Sequence, residues 1–134
     1  MSQYQGSCLC GEVRFVIDGE FDSFYLCHCS RCRKGSGSAH AANLFSTTAS
    51  LSWLSGEQEL RSFTLPGSHH SRNFCAQCGS ALPGLHMAGK LLMAPAGSLD
   101  SPVTLQPNAH LCMASRANWD HQLDQVEQLD GMPG

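Results

Sequence analysis

Cys8-Leu9-Cys10-Gly11 and Cys75-Ala76-Gln77-Cys78-Gly79 follow one plan: two cysteines separated by one or two residues, then glycine at once. Glycine lets the backbone turn sharply there, so that two sulfurs and nearby amide N–H groups can face one ion. Cysteines this close rarely satisfy the geometry of a bridge to one another, but they suit a bidentate grip on a metal. Two such turns, brought together by strands, supply four thiolates for a tetrahedral Zn²⁺ with Zn–S near ~2.3 Å. A four-cysteine site is closed, so the expected role of Cys8, Cys10, Cys75 and Cys78 is structural. The 64 residues from Gly11 to Phe74 are then a large insertion within a ribbon-like zinc unit.

Between the two pairs lies Cys27-His28-Cys29-Ser30-Arg31-Cys32, where C-x-C is fused to C-x-x-C. Cys27, Cys29 and Cys32 can converge on a second ion, giving two zinc ions per chain. Three protein ligands is the count of a catalytic zinc, with a fourth position left for water or substrate. The alternative is a closed site completed by a side chain, with His28, His40, His69, His70, His110 and the unpaired Cys112 as candidates. His28 points away from its neighbours in an extended turn. Cys112, between Leu111 and Met113 in an expected strand, reads as a buried apolar residue. The following Arg33-Lys34-Gly35-Ser36-Gly37-Ser38 reads as a basic, then glycine-rich loop that offsets the thiolate charge and can attract an anion. Three thiolates over-neutralise Zn²⁺, so capture of a soft ligand such as a thiol is favoured over acidifying water. A held thiolate can add to an aldehyde carbon, and the natural reaction class is making or breaking a C–S bond to a small carbonyl compound.

Working outward, the 134 residues suit one domain, 1–134, and their 42% hydrophobic content allows a real core. A formal net charge of −3, with eight Lys and Arg spread through the chain, argues against nucleic acid and acidic membranes. The longest apolar stretches, such as Leu91 to Ala96, are too short to span a bilayer. The first residues lack the basic start and apolar run of a secretory signal, so the expected compartment is the cytoplasm. Reduced cysteines used for metal fit that compartment better than a disulfide scaffold.

Short strands are expected at Glu12 to Ile17, Phe24 to Leu26, His40 to Phe45, Leu51 to Leu54, Glu59 to Leu65, Arg72 to Phe74, Leu91 to Ala94 and Ala109 to Ala114. Val13, Phe15 and Ile17 fall on one face. Many short strands between Gly, Ser, Pro and Asp clusters predict a mainly β domain. Pro83 and Gly84 demote the stretch after Ser80 to an edge or an irregular crossing. Trp119, Leu123 and Val126 at i, i+4 and i+7 predict one short C-terminal helix covering a sheet face.

Gly6-Ser7-Cys8-Leu9-Cys10-Gly11-Glu12-Val13-Arg14, the Cys27 to Lys34 segment, Phe74 to Ser80 and Ser115-Arg116-Ala117-Asn118-Trp119 together resemble the glutathione-dependent formaldehyde-activating enzyme family. The family also covers centromere protein V-type domains with binding roles. The resemblance implies a small, tent-like zinc-binding fold of short antiparallel strands with little helix. It implies that Cys8, Cys10, Cys75 and Cys78 hold a structural ion, and that Cys27, Cys29 and Cys32 hold the catalytic one. The implied activity is that of a carbon–sulfur lyase joining glutathione and formaldehyde. Arg31, Arg33 and Lys34 are the cations offered to the carboxylates of glutathione. A non-catalytic zinc module that binds a partner, or senses metal or thiols, is the alternative.

Overall fold

The computed structural model describes residues 2–134. Eleven strands follow one another as β1 (Gln3–Ser7), β2 (Arg14–Asp18), β3 (Ser23–Cys27), β4 (Ala41–Ser46), β5 (Ser50–Ser55), β6 (Leu60–Thr64), β7 (Ser71–Cys75), β8 (Ala81–Leu82), β9 (Gly84–His86), β10 (Leu91–Pro95) and β11 (Ala109–Leu111). One α-helix, α1 (Ser30–Ser36), lies between β3 and β4. The strands form three sheets, ordered β1-β2-β5, β11-β3-β4-β10-β9 and β6-β7-β8. The mainly β expectation holds, with one amendment. β11 runs parallel to β3, whereas every other strand pair is antiparallel.

Alternation in β2 sets the core. Phe15 and Ile17 point inward and are fully buried, as is Val13 just before the strand, while Arg14 and Val16 turn outward. They pack with Tyr4, Phe24, Leu44, Leu82 and Leu92 in one cluster spanning all three sheets. Ser46, also buried, is satisfied: its hydroxyl donates to the Glu20 carbonyl at 2.7 Å and accepts from Ala49 N at 2.9 Å. The faces of β4 and β10 opposite Leu44 and Leu92 remain free for another task.

Three expectations fail for identifiable reasons. No C-terminal helix forms; Trp119, Leu123 and Val126 are exposed in an irregular arm whose only regular piece is a single 3₁₀ turn at Leu123–Gln125. A helix that short needs a sheet face to pack on, and none is offered. The strand expected over Ala109 to Ala114 stops at Leu111, because Cys112 turns left-handed at φ 58. The basic loop after Cys32 is instead the body of α1. Its N-cap Cys29 accepts the Cys32 N–H on sulfur at 3.3 Å, and left-handed Gly37 (φ 67) closes it by donating to the Arg33 carbonyl at 2.8 Å.

Candidate metal centres

The sulfurs of Cys8, Cys10, Cys75 and Cys78 all lie within 4.8 Å of one another. Cys8 and Cys10 are 3.6 Å apart and Cys10 and Cys75 are 3.9 Å apart. A tetrahedral zinc with Zn–S of ~2.3 Å requires sulfurs about 3.8 Å apart, so the cage has the right size. Both turns are built alike. Val13 N donates to Cys8 Sγ and Gln77 N to Cys75 Sγ, each at 3.3 Å, and Gly11 (φ 84) and Gly79 (φ 76) take the left-handed bend. Ser80 ties them together, because its hydroxyl accepts Leu9 N at 2.8 Å and lies 3.3 Å from Cys78 Sγ. Cys8 and Cys75 are buried, Cys78 is half-buried and Cys10 is exposed, so the cage lies against the core with one edge outward.

The second group is smaller. Cys27 ends β3, Cys29 caps α1 and Cys32 lies in its first turn, and their three sulfurs also fall within 4.8 Å of one another. Parallel pairing of β11 with β3 sets Leu111 beside Cys27. The next residue, Cys112, therefore carries its sulfur to 4.0 Å from Cys27 Sγ. Cys112 is exposed, which corrects the expectation of a buried apolar residue.

Charge distribution in both groups points to a cation. In the first, Cys78 is pulled down to about 5, chiefly by its contact with the Ser80 hydroxyl and then by the backbone of Cys10 and Ser80. Cys10 is pushed up to about 12: the backbone of Glu12 works against the rise, but burial and the three neighbouring thiols outweigh it. In the second, burial raises Cys29, yet the backbone N–H of Cys32, the Cys32 and Cys27 thiols and the Arg31 N–H bring it down to about 7. Cys32 is pushed up by burial first and then by Cys29 and Cys27. Cys8 is lowered along with Cys78, and Cys27 is raised along with Cys32, so in each group some thiols are pushed toward thiolate and others away from it, a conflict that a divalent ion would remove. All-sulfur donor sets with no carboxylate among them fit zinc. No cysteine is bridged to another among the described residues.

His28, between Cys27 and Cys29 in sequence, is buried and packs its ring against His40 and His110. Its Nε2 lies 2.9 Å from His110 Nδ1, and its Nδ1 lies 3.0 Å from Asp120 Oδ2, at ion-pair distance but without hydrogen-bond alignment. His40 packs 5.0 Å from the His28 ring, and its basicity is lowered by burial first and then by His28 and His110. Asp120, in the arm where a helix was expected, thus faces His28 with neither of the two facing atoms hydrogen-bonded.

A cavity of about 490 Å³ opens beside Cys27 and Cys32, between the free face of the five-stranded sheet and the β6-β7-β8 sheet. A cleft of about 400 Å³ adjoins it, lined by Arg31, Lys34, His70 and Arg72, with Phe63 and Leu65 as its apolar side. Gly35, His70 and Arg72 belong to both. Of the three cations singled out from sequence, Arg31 and Lys34 line the cleft. Arg33 does not: its Nε donates to the Ser115 carbonyl at 3.1 Å and it faces Trp119 across a separate depression. Arg72 was missed and His70 was singled out only as a possible ligand of the second cluster, because only the tertiary fold brings both against Gly35 of α1.

The fold and its two sulfur clusters define a small β protein with two sets of thiols that could each hold a metal ion. A family model described as glutathione-dependent formaldehyde-activating enzyme matches residues 3–115, and the chain belongs to that family. Among solved structures, the chain is similar to a crystallised Rhodobacter sphaeroides protein at 19% identity and a TM-score of 0.60, covering 79% of this chain and 98% of that one. That likeness concerns the fold. No curated protein matches the sequence.

Proposed function

We propose that the protein is a zinc-dependent carbon–sulfur lyase acting on a thiol–aldehyde adduct, of glutathione with formaldehyde or a related small carbonyl compound. The observation that carries this reading is the three-thiol cluster opening onto a cavity with a cationic mouth. Zinc held by Cys27, Cys29 and Cys32 would keep an incoming thiol as its thiolate. Arg31, Lys34 and Arg72 neutralise the carboxylates of the thiol compound and orient its sulfur toward the cluster. His40, left neutral by its surroundings, lines the cavity with Cys27 and Cys32 and is the base for the thiol proton. The sulfur lone pair forms the S–C bond, the carbonyl π pair moves to oxygen, and that oxygen takes a proton; cleavage is the reverse. The first cluster serves folding alone. Free thiols in this number suit a reducing compartment, and the cytoplasm is the location we propose.

The test is exchange spectroscopy on glutathione, formaldehyde and their adduct, with zinc-loaded protein containing two ions per chain. Exchange faster than the spontaneous reaction, lost in Cys29→Ser, supports the reading; exchange no faster than without protein ends it.

One observation favours a second reading. Cys112 sulfur lies 4.0 Å from Cys27 but outside the set of sulfurs mutually within 4.8 Å, and a site closed by its moving in as a fourth ligand would be a non-catalytic zinc module. In that case Cys112→Ser strips zinc from the second site.

A further inference from the structure

Formaldehyde has two heavy atoms and needs little more than the ~30 Å³ share of a water molecule. The cavity beside the second cluster measures about 490 Å³. Its volume is that of a site for a much larger ligand. The wall chemistry says which kind. On the free face of the large sheet, Phe45 stands opposite Met93 across the β4–β10 pair, with Leu91 two residues along. Ala81 and Leu82 of β8 close the opposite side. Among the described residues, no Asp or Glu lines either the cavity or the cleft, so the cavity gives an ammonium group no partner. Cationic side chains gather instead at the shared mouth, where Arg72 meets the cleft.

We propose that the carbonyl partner is not formaldehyde but an aldehyde bearing a hydrocarbon substituent, aliphatic or aromatic, which lies in this cavity. The thiol compound's carboxylates stay outside in the basic cleft. This rests on the lyase reading above for its chemistry. The sulfur adds to the aldehyde carbon, the carbonyl electron pair goes to oxygen and takes a proton, and the substituent on that carbon points between the sheets. No oxidant or further reactant is needed. Separation of the two ends matches cations at the mouth and the apolar wall of Phe45, Leu91 and Met93 inside, with His40, Asn43, Asn73 and His86 as the polar groups around it.

Binding separates this inference from the activity it rests on. S-methylglutathione and S-hexylglutathione are unreactive thioethers whose alkyl groups stand where the aldehyde substituent would. Titrated calorimetrically into the zinc-loaded full chain, the hexyl compound is expected to bind at least ~tenfold tighter, since each buried methylene can contribute up to about fourfold. Met93→Trp fills the cavity two strands away from Cys27 and is expected to erase the gain while leaving the methyl compound's affinity unchanged. Zinc content and circular dichroism check that this variant folds; Leu91→Gln, a polar change in the same wall, serves if it does not. Equal affinities for the two thioethers, or none for either, overturn the proposal. Exchange of glutathione adducts of hexanal and formaldehyde then tells the two ideas apart. A hexyl preference without turnover of either adduct sinks the lyase and keeps the cavity assignment. Formaldehyde turnover without a hexyl preference does the opposite.

Discussion

Replacing Cys75 by serine tests the division of labour between the two metal centres. Cys75 is fully buried, and a metal in the first cluster would join it to Cys10, 65 positions earlier in the chain. Closing a loop of that length in the unfolded chain corresponds to about 4 kcal/mol of chain entropy at 25 °C, by the same expression used for covalent cross-links. The second cluster closes only the short path from Cys27 to Cys32, for which the same expression gives about 2 kcal/mol. Metal–ligand bonding adds to both, and structural zinc contributes ~10–16 kcal/mol in apparent terms where it is coupled to folding. A domain of this size has only about 5–15 kcal/mol of net stability. At roughly 3–5 °C per kcal/mol, Cys75→Ser should lower the melting temperature by at least about 12 °C and leave little soluble protein. Cys29→Ser should lower the melting temperature by less than Cys75→Ser does and keep the native circular dichroism spectrum. The assay is thermal unfolding with zinc measured on each sample: two ions per chain in the parent, one in Cys29→Ser. Equal melting temperatures for the two variants would refute the reasoning, because the loops closed would then be irrelevant.

Three further outcomes are expected. Cys112→Ser should leave the second zinc in place and alter only its accessibility, read as faster zinc transfer to a chelator; loss of the ion altogether would show a fourth protein ligand. Gly56→Ala should destabilise by about 2 kcal/mol in urea unfolding, since the left-handed φ of 73 disfavours a side chain and the new Cβ would collide with the Glu12 carbonyl oxygen; an unchanged midpoint would show that the β5 turn can yield. His86, in the cavity wall, has its pKa lowered by burial and then by His70. Its folded pKa therefore lies below the unfolded 6.5, so the folded state resists protonation and loses stability as pH falls from about 6.5 toward that lower value. Its ring should titrate by NMR below pH 6.5, and a midpoint above that would contradict the buried setting.

Much of the architecture was legible because it depends on neighbours in sequence. The period-two pattern of Val13, Phe15 and Ile17 announces a half-buried strand whatever it packs on. The two cysteine–glycine turns likewise shape themselves, since φ-positive glycine and N–H···S contacts act within five residues. The short strand Gln3–Ser7 went unread, as its Gln and Ser faces carry no alternation beyond Tyr4. α1 was read as a loop because its N-cap is a cysteine acting through sulfur, outside the usual Ser, Thr, Asp and Asn signal. The C-terminal stripe of Trp119, Leu123 and Val126 had helical spacing, but spacing does not supply a surface to cover.

From the sequence by itself came the three cysteine groups, the mainly β character and the family they resemble, because ligand spacing and side-chain alternation are local properties. The tertiary structure alone decided what surrounds the second thiol cluster. It brought Cys112 to Cys27 through a parallel strand pair and set Arg72 and His70 beside Arg31 and Lys34. It also left a space with one apolar wall between two sheets where the sequence shows only separate strands. Those placements depend on how strands far apart in the chain pair and stack, and sequence spacing does not encode the distance between them.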